Sequence, residues 1–94
     1  MREAAVAIVY PDEETFDAHV TSVLELLPGT RAFPGCIQAH VGVSAERQEI
    51  AIFHIWESQQ HLDDYLDWRA GRGDLDARSK TMRREQSFST FSIP

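Results

Sequence analysis

His54 and Trp56, two residues apart near the middle of the chain, are the pair best suited to chemistry. On a strand, positions i and i+2 share a face, so imidazole and indole would enter the same space. An imidazole near its ordinary pKa can take a proton at neutral pH. An indole N–H can donate a hydrogen bond inside an otherwise apolar pocket. The pair reads equally as a core aromatic beside a hydrogen-bonded core histidine. Tyr65, Trp68, Arg69 and Arg72 form a second cluster. Tyr65 and Arg69 share a helical face, with Arg72 one turn further on. An arginine over an aromatic rim can hold a phenolate or a carboxylate. The competing role for these arginines is pairing with Asp63, Asp64, Asp67 or a second copy of the chain.

The remaining histidines are less decisive. His40 lies on the neighbouring strand, where a one-residue slip of register reverses its face. His19 follows Phe16 at the margin of an apolar helical stripe, where it meets either a cleft or solvent. His61 is expected at the surface. With Phe16, the residues Tyr65, Arg69, His40, His19 and Arg72 are the candidate substrate contacts, and His54 and Trp56 the candidate catalytic ones. The four histidines lack a compact ligand pattern, so no metal is expected.

Positioning these groups requires a set of elements. Ala4 to Tyr10 is an apolar, β-branched run that predicts a first strand, ended by Pro11. Asp12 opens a helix with acids in its first turn. Phe16, Val20, Val23, Leu24 and Leu27 recur at helical spacing, and Pro28-Gly29 is expected to stop the run. After the turn Phe33-Pro34-Gly35, Cys36 to Val43 alternates as a half-buried strand. Ser44 to Arg47 is a polar connection of hairpin length. Glu49 to Trp56 is apolar on both faces. Ser58 can cap a second helix whose stripe is Leu62, Tyr65, Leu66 and Arg69. Gly71-Arg72-Gly73 interrupts it, a short helical turn is expected around Leu75 to Met82, and Gln86 to Ile93 would close the sheet. The order is β-α-β-β-α-β, an α+β ferredoxin-like fold with an antiparallel sheet. Because the third strand is apolar on both faces, the uncovered side of the sheet needs a partner, and a symmetric homodimer supplies one.

Length and composition agree with a single domain over residues 1–94. The chain is 43% hydrophobic and 26% charged, an ordinary globular balance. Its longest apolar stretch falls far short of the roughly 18 residues a membrane span needs. The start, Met1-Arg2-Glu3-Ala4, lacks the apolar core of a signal peptide, so a cytoplasmic location is expected. A net charge of −6 disfavours nucleic acid and anionic membranes as partners. The charge is uneven, with six basic against three acidic residues after position 67, a balance that suits either a small acidic ligand or pairing with the acidic stretch before it. Cys36 is the only cysteine, so no intrachain disulfide forms; burial is its expected role.

Phe33-Pro34-Gly35-Cys36, an alternating strand, and then Ile55-Trp56-Glu57-Ser58 leading into a helix together resemble the antibiotic biosynthesis monooxygenase family. The resemblance runs from about Ala4 to the C-terminus and implies a dimeric α+β barrel. It also implies a cofactor-independent monooxygenase that turns O₂ on a polycyclic aromatic, of anthrone, naphthol or quinol type. Trp56 matches the tryptophan that such polyketide oxygenases place at the end of the third strand. The asparagines they pair with it have no counterpart, since the chain contains no Asn. Haem-degrading members use an Asn on the first strand and a His beyond the second helix, both missing here, which argues against that activity. Alternatives on the same fold are a polyketide cyclase or isomerase, which needs no oxygen, and a non-catalytic ligand-binding dimer.

Overall fold

Arg2–Val9 forms β1, its small and β-branched residues alternating from Ala5 to Ile8. It is the third strand in a sheet ordered Cys36–Ser44, Glu49–Trp56, β1, Ser87–Ile93. The computed structural model describes residues 1–71 and 81–94. Next come α1 (Phe16–Ala32), β2 (Cys36–Ser44), β3 (Glu49–Trp56), α2 (Gln59–Gly71) and β4 (Ser87–Ile93). All strand pairs are antiparallel. This is the ferredoxin-like α+β fold that the order of elements predicts.

Register decides which side chains meet. Ala5 and Ala39 pair with His54, and Val9 and Val43 with Ile50. Ala5, Val9, Ala39, Ile50, His54 and Trp56 are buried on the face that carries both helices. Two clusters form there. Val9 and Ile50 pack with Phe16 and Val23 of α1. Ala5 and Trp56 pack with Leu62 and Tyr65 of α2. The opposite face carries Val6 against Phe53 and Ala4 against Ile55. Phe53 and Phe91 remain exposed on it.

One expected boundary is overturned. α1 does not stop at Pro28-Gly29 but continues through Pro28 to Ala32. An interior proline costs roughly 3 kcal/mol, because it removes an N–H and crowds the preceding turn. Tertiary contacts offset that cost. Thr30, one turn beyond the apolar Leu27, is buried and bonded to α2. The start also differs: a 3₁₀ turn, Glu13–Thr15, precedes α1, with Thr15 N–H donating to the Asp12 carbonyl. The helical turn expected around Leu75 to Met82 lies outside the described residues, apart from its last two positions. Of these, Met82 bridges to Pro11.

At the turn into β2, Gly35 adopts φ +91°, a left-handed conformation that favours glycine. A Cβ there would stand 2.2 Å from the His61 ring. His61 packs on this turn while 39% of its side chain stays exposed, and its Nδ1 lies 2.7 Å from Ser58 Oγ. Ser58 caps α2 as expected, accepting the His61 N–H at 3.3 Å.

Candidate functional site

Between the sheet and the two helices lies a cavity of about 330 Å³. Its walls come from both clusters, with Val23, Leu26 and Leu27 of α1 facing Val41, Ile52 and Phe88 of the sheet. Most of that surface is aliphatic. The polar groups are Thr30, His54, Tyr65, Arg69 and Gln86. An apolar chamber with a few converging polar groups is the usual form of a small-molecule site.

The polar groups are tightly connected. Arg69 is buried, and its Nε donates to Tyr65 Oη at 3.0 Å. Its Nη2 donates to the same oxygen at 2.5 Å and to Thr30 Oγ1 at 2.8 Å. The two hydroxyls lie 2.7 Å apart. The guanidinium carbon is 5.2 Å from the centre of the Tyr65 ring. A guanidinium keeps its charge in any protein setting, so the cavity has a fixed cation in its wall.

His54 sits between two alanines, Ala5 on β1 and Ala39 on β2, whose small side chains leave its ring room under α2. Trp56 Nε1–H donates to His54 Nδ1 at 2.5 Å, with the rings nearly perpendicular. Burial, and secondarily the Arg69 charge, pull the imidazole from 6.5 down to about 4. It is therefore neutral at pH 7.

The candidate residues part company here. The structure brings His54, Trp56, Tyr65 and Arg69 together, and three of them line the cavity. Trp56 does not: it is fully buried, packed behind His54 with Leu62 and Tyr65. Phe16 belongs to the cluster with Val9 and Ile50 and contributes no cavity wall. His40 pairs with Phe53 on the opposite face of the sheet and is exposed. His19 lies outside the lining, its Nε2 2.5 Å from Thr81 Oγ1. Arg72 lies outside the described residues. Among those described, no three metal-ligating side chains converge, and no helix is long and apolar enough to cross a membrane.

Thr30, Leu26 and Phe88 were not legible as site residues. Thr30 sits just past the proline read as a helix end, although the stripe Phe16, Val20, Val23, Leu27 reaches it at helical spacing. Phe88 is assigned only once β4 is paired with β1, opposite Ala7.

Residues 4–70 match the sequence profile of the family described as antibiotic biosynthesis monooxygenase. Comparison with curated proteins returns no significant match. Among solved structures, Rv0793 from Mycobacterium tuberculosis is 21% identical with a TM-score of 0.81, over 100% of this chain and 96% of that one. A conserved protein from Methanosarcina mazei Go1 gives 16% and 0.85, over 97% and 91% of the two chains. A structure described as an antibiotic biosynthesis monooxygenase gives 16% and 0.84, over 98% and 99%. At these identities the likeness establishes the fold.

Proposed function

Because the chain belongs to the antibiotic biosynthesis monooxygenase family, we propose that it is a cofactor-independent monooxygenase acting with O₂ on a polycyclic aromatic of anthrone, naphthol or quinol type. The observation that carries this reading is the aliphatic cavity with the Arg69 cation in its wall. Ground-state oxygen reacts slowly with closed-shell molecules, so the substrate must donate the electron, and it does so best as an anion. A cation beside the ring oxygen favours that anion.

For an anthrone, the enol proton leaves to solvent and the anion rests against Arg69. One electron passes to O₂, and the radical pair joins as a carbon–oxygen bond at the ring CH₂. The peroxide anion so formed takes a proton back from solvent, and the hydroperoxide then loses water, with the hydrogen left on that carbon, to give a ketone. One oxygen atom enters the product and the other leaves as water, so no external reductant is consumed. The test is oxygen uptake with anthrone and 1-naphthol as substrates. One O₂ consumed per anthrone, above the buffer rate, is expected; uptake at the buffer rate across the panel overturns the reading.

One observation favours a second reading, a ligand-binding protein without catalysis. The only imidazole in the lining has a ring nitrogen occupied by Trp56, so it is poorly placed to abstract a proton. Saturable binding of 1-naphthol with no uptake under air selects this reading.

The open sheet face supports a homodimer as the working unit. Val6 lies at its centre, paired with Phe53 and Ser89. A Val6→Arg substitution should convert a dimer to a monomer in sedimentation equilibrium, because it places a charge in an apolar contact. A wild-type chain that sediments as a monomer removes the proposal.

A further inference from the structure

We propose that Trp56 is a positioning residue that holds His54 as its neutral Nε2–H tautomer, so that the cavity offers its occupant a hydrogen-bond donor rather than a base. An indole nitrogen can only donate, and a neutral imidazole has one donor and one acceptor nitrogen. Since Trp56 Nε1–H is directed at His54 Nδ1, Nδ1 must carry the lone pair and Nε2 the proton. The ring lines the cavity, and Nε2 makes no hydrogen bond to any described residue.

The surroundings reinforce this state. Tyr65 and Arg69 of α2 are the titratable and charged groups that face the ring, and the guanidinium opposes a second proton. Trp56 is itself fully buried, enclosed by Ala5, Leu62 and Tyr65. Its indole therefore acts through His54 without touching a ligand.

The consequence is a substrate class. A cavity with an N–H donor and a guanidinium, and no free imidazole lone pair, suits a ring whose oxygen accepts hydrogen bonds: a phenolate, an enolate or a ring ketone. It does not suit a carbon acid that needs an enzymic base. This selection of substrate rests on the proposed use of the cavity as a binding site; the tautomer does not.

Long-range ¹H–¹⁵N NMR of the whole protein tests both parts. Wild-type His54 should show an unprotonated Nδ1 and a protonated Nε2, unchanged as the sample is acidified from neutrality toward pH 5. A protonated Nδ1 overturns the lock, and because the wild type decides it, no variant is needed. Trp56→Phe keeps the ring but deletes the N–H. It should give a mixture of tautomers, with the imidazole still held below 6.5 by burial and Arg69; an unchanged spectrum overturns the role of Trp56. Adding 1-naphthol without oxygen should shift the Nε2–H resonance, and no shift at saturation overturns the donor role. A protonated Nε2 in a protein that consumes no oxygen would leave this proposal standing and the oxygenase reading lost.

Discussion

Arg69→Met is expected to lower kcat/KM for a phenolic substrate by about 10²–10³-fold, the size typical of losing a preorganised donor to a developing oxyanion. The side chain is the fixed cation in the cavity wall, and methionine replaces its aliphatic stem without its charge. A chromophoric probe separates electrostatics from packing. 4-Nitrophenol turns yellow on ionising, so its apparent pKa on the protein reports the potential inside the cavity. Wild type should lower that pKa, and Arg69→Met should return it to the value in buffer. The fold should persist, because Thr30 and Tyr65 still bond to each other at 2.7 Å. The lost charge-assisted hydrogen bonds should cost about 1.5–3 kcal/mol. A normal probe pKa in wild type, or an unaltered one in the variant, means that Arg69 is structural. Arg69→Lys should restore part of the probe shift but not the rate, since an ammonium lacks the planar fork that engages Tyr65 and Thr30 together.

The framework was legible because it follows from pattern. A run apolar at nearly every position bounds β3 at Glu49 and Trp56, and residue parity alone places His54 and Trp56 on one face. What parity does not give is depth. An indole at a strand end lies at a pocket rim or in the core according to what packs over it, and α2 packs Leu62 and Tyr65 over Trp56. His40 shows the same limit across strands. Its face depends on the register of the β2–β3 hairpin, which runs unbroken from Ser44 to Gln38, and no local signal in the sequence fixes that register. Pro28 misled in the opposite direction. Local propensity argues for a break, whereas the contacts of Thr30 with Tyr65 and Arg69, 35 and 39 residues away in sequence, carry the helix past it. Thr30 was lost from the site for that reason.

Acidification should destabilise the protein through His54 by up to about 3 kcal/mol, and His54→Gln should remove most of that dependence. The folded imidazole titrates at about 4 against 6.5 for an ordinary one. Above pH 6.5 both folded and unfolded chains hold it neutral, and its contribution is constant. Below 6.5 the unfolded chain takes a proton that the folded chain refuses, so stability falls with pH until the folded group titrates near 4. The loss then levels off. Urea midpoints for wild type and His54→Gln, compared across this interval at one protein concentration, isolate the effect from the other three histidines common to both. Glutamine can still accept the Trp56 N–H through its carbonyl oxygen, so the variant keeps the buried donor satisfied while losing the titration. Trp56→Phe should flatten the curve only partly, since burial and Arg69 continue to oppose the charge. Parallel curves for wild type and His54→Gln would show that the imidazole takes its proton in the fold as easily as in water, and that the cavity wall near it is wet.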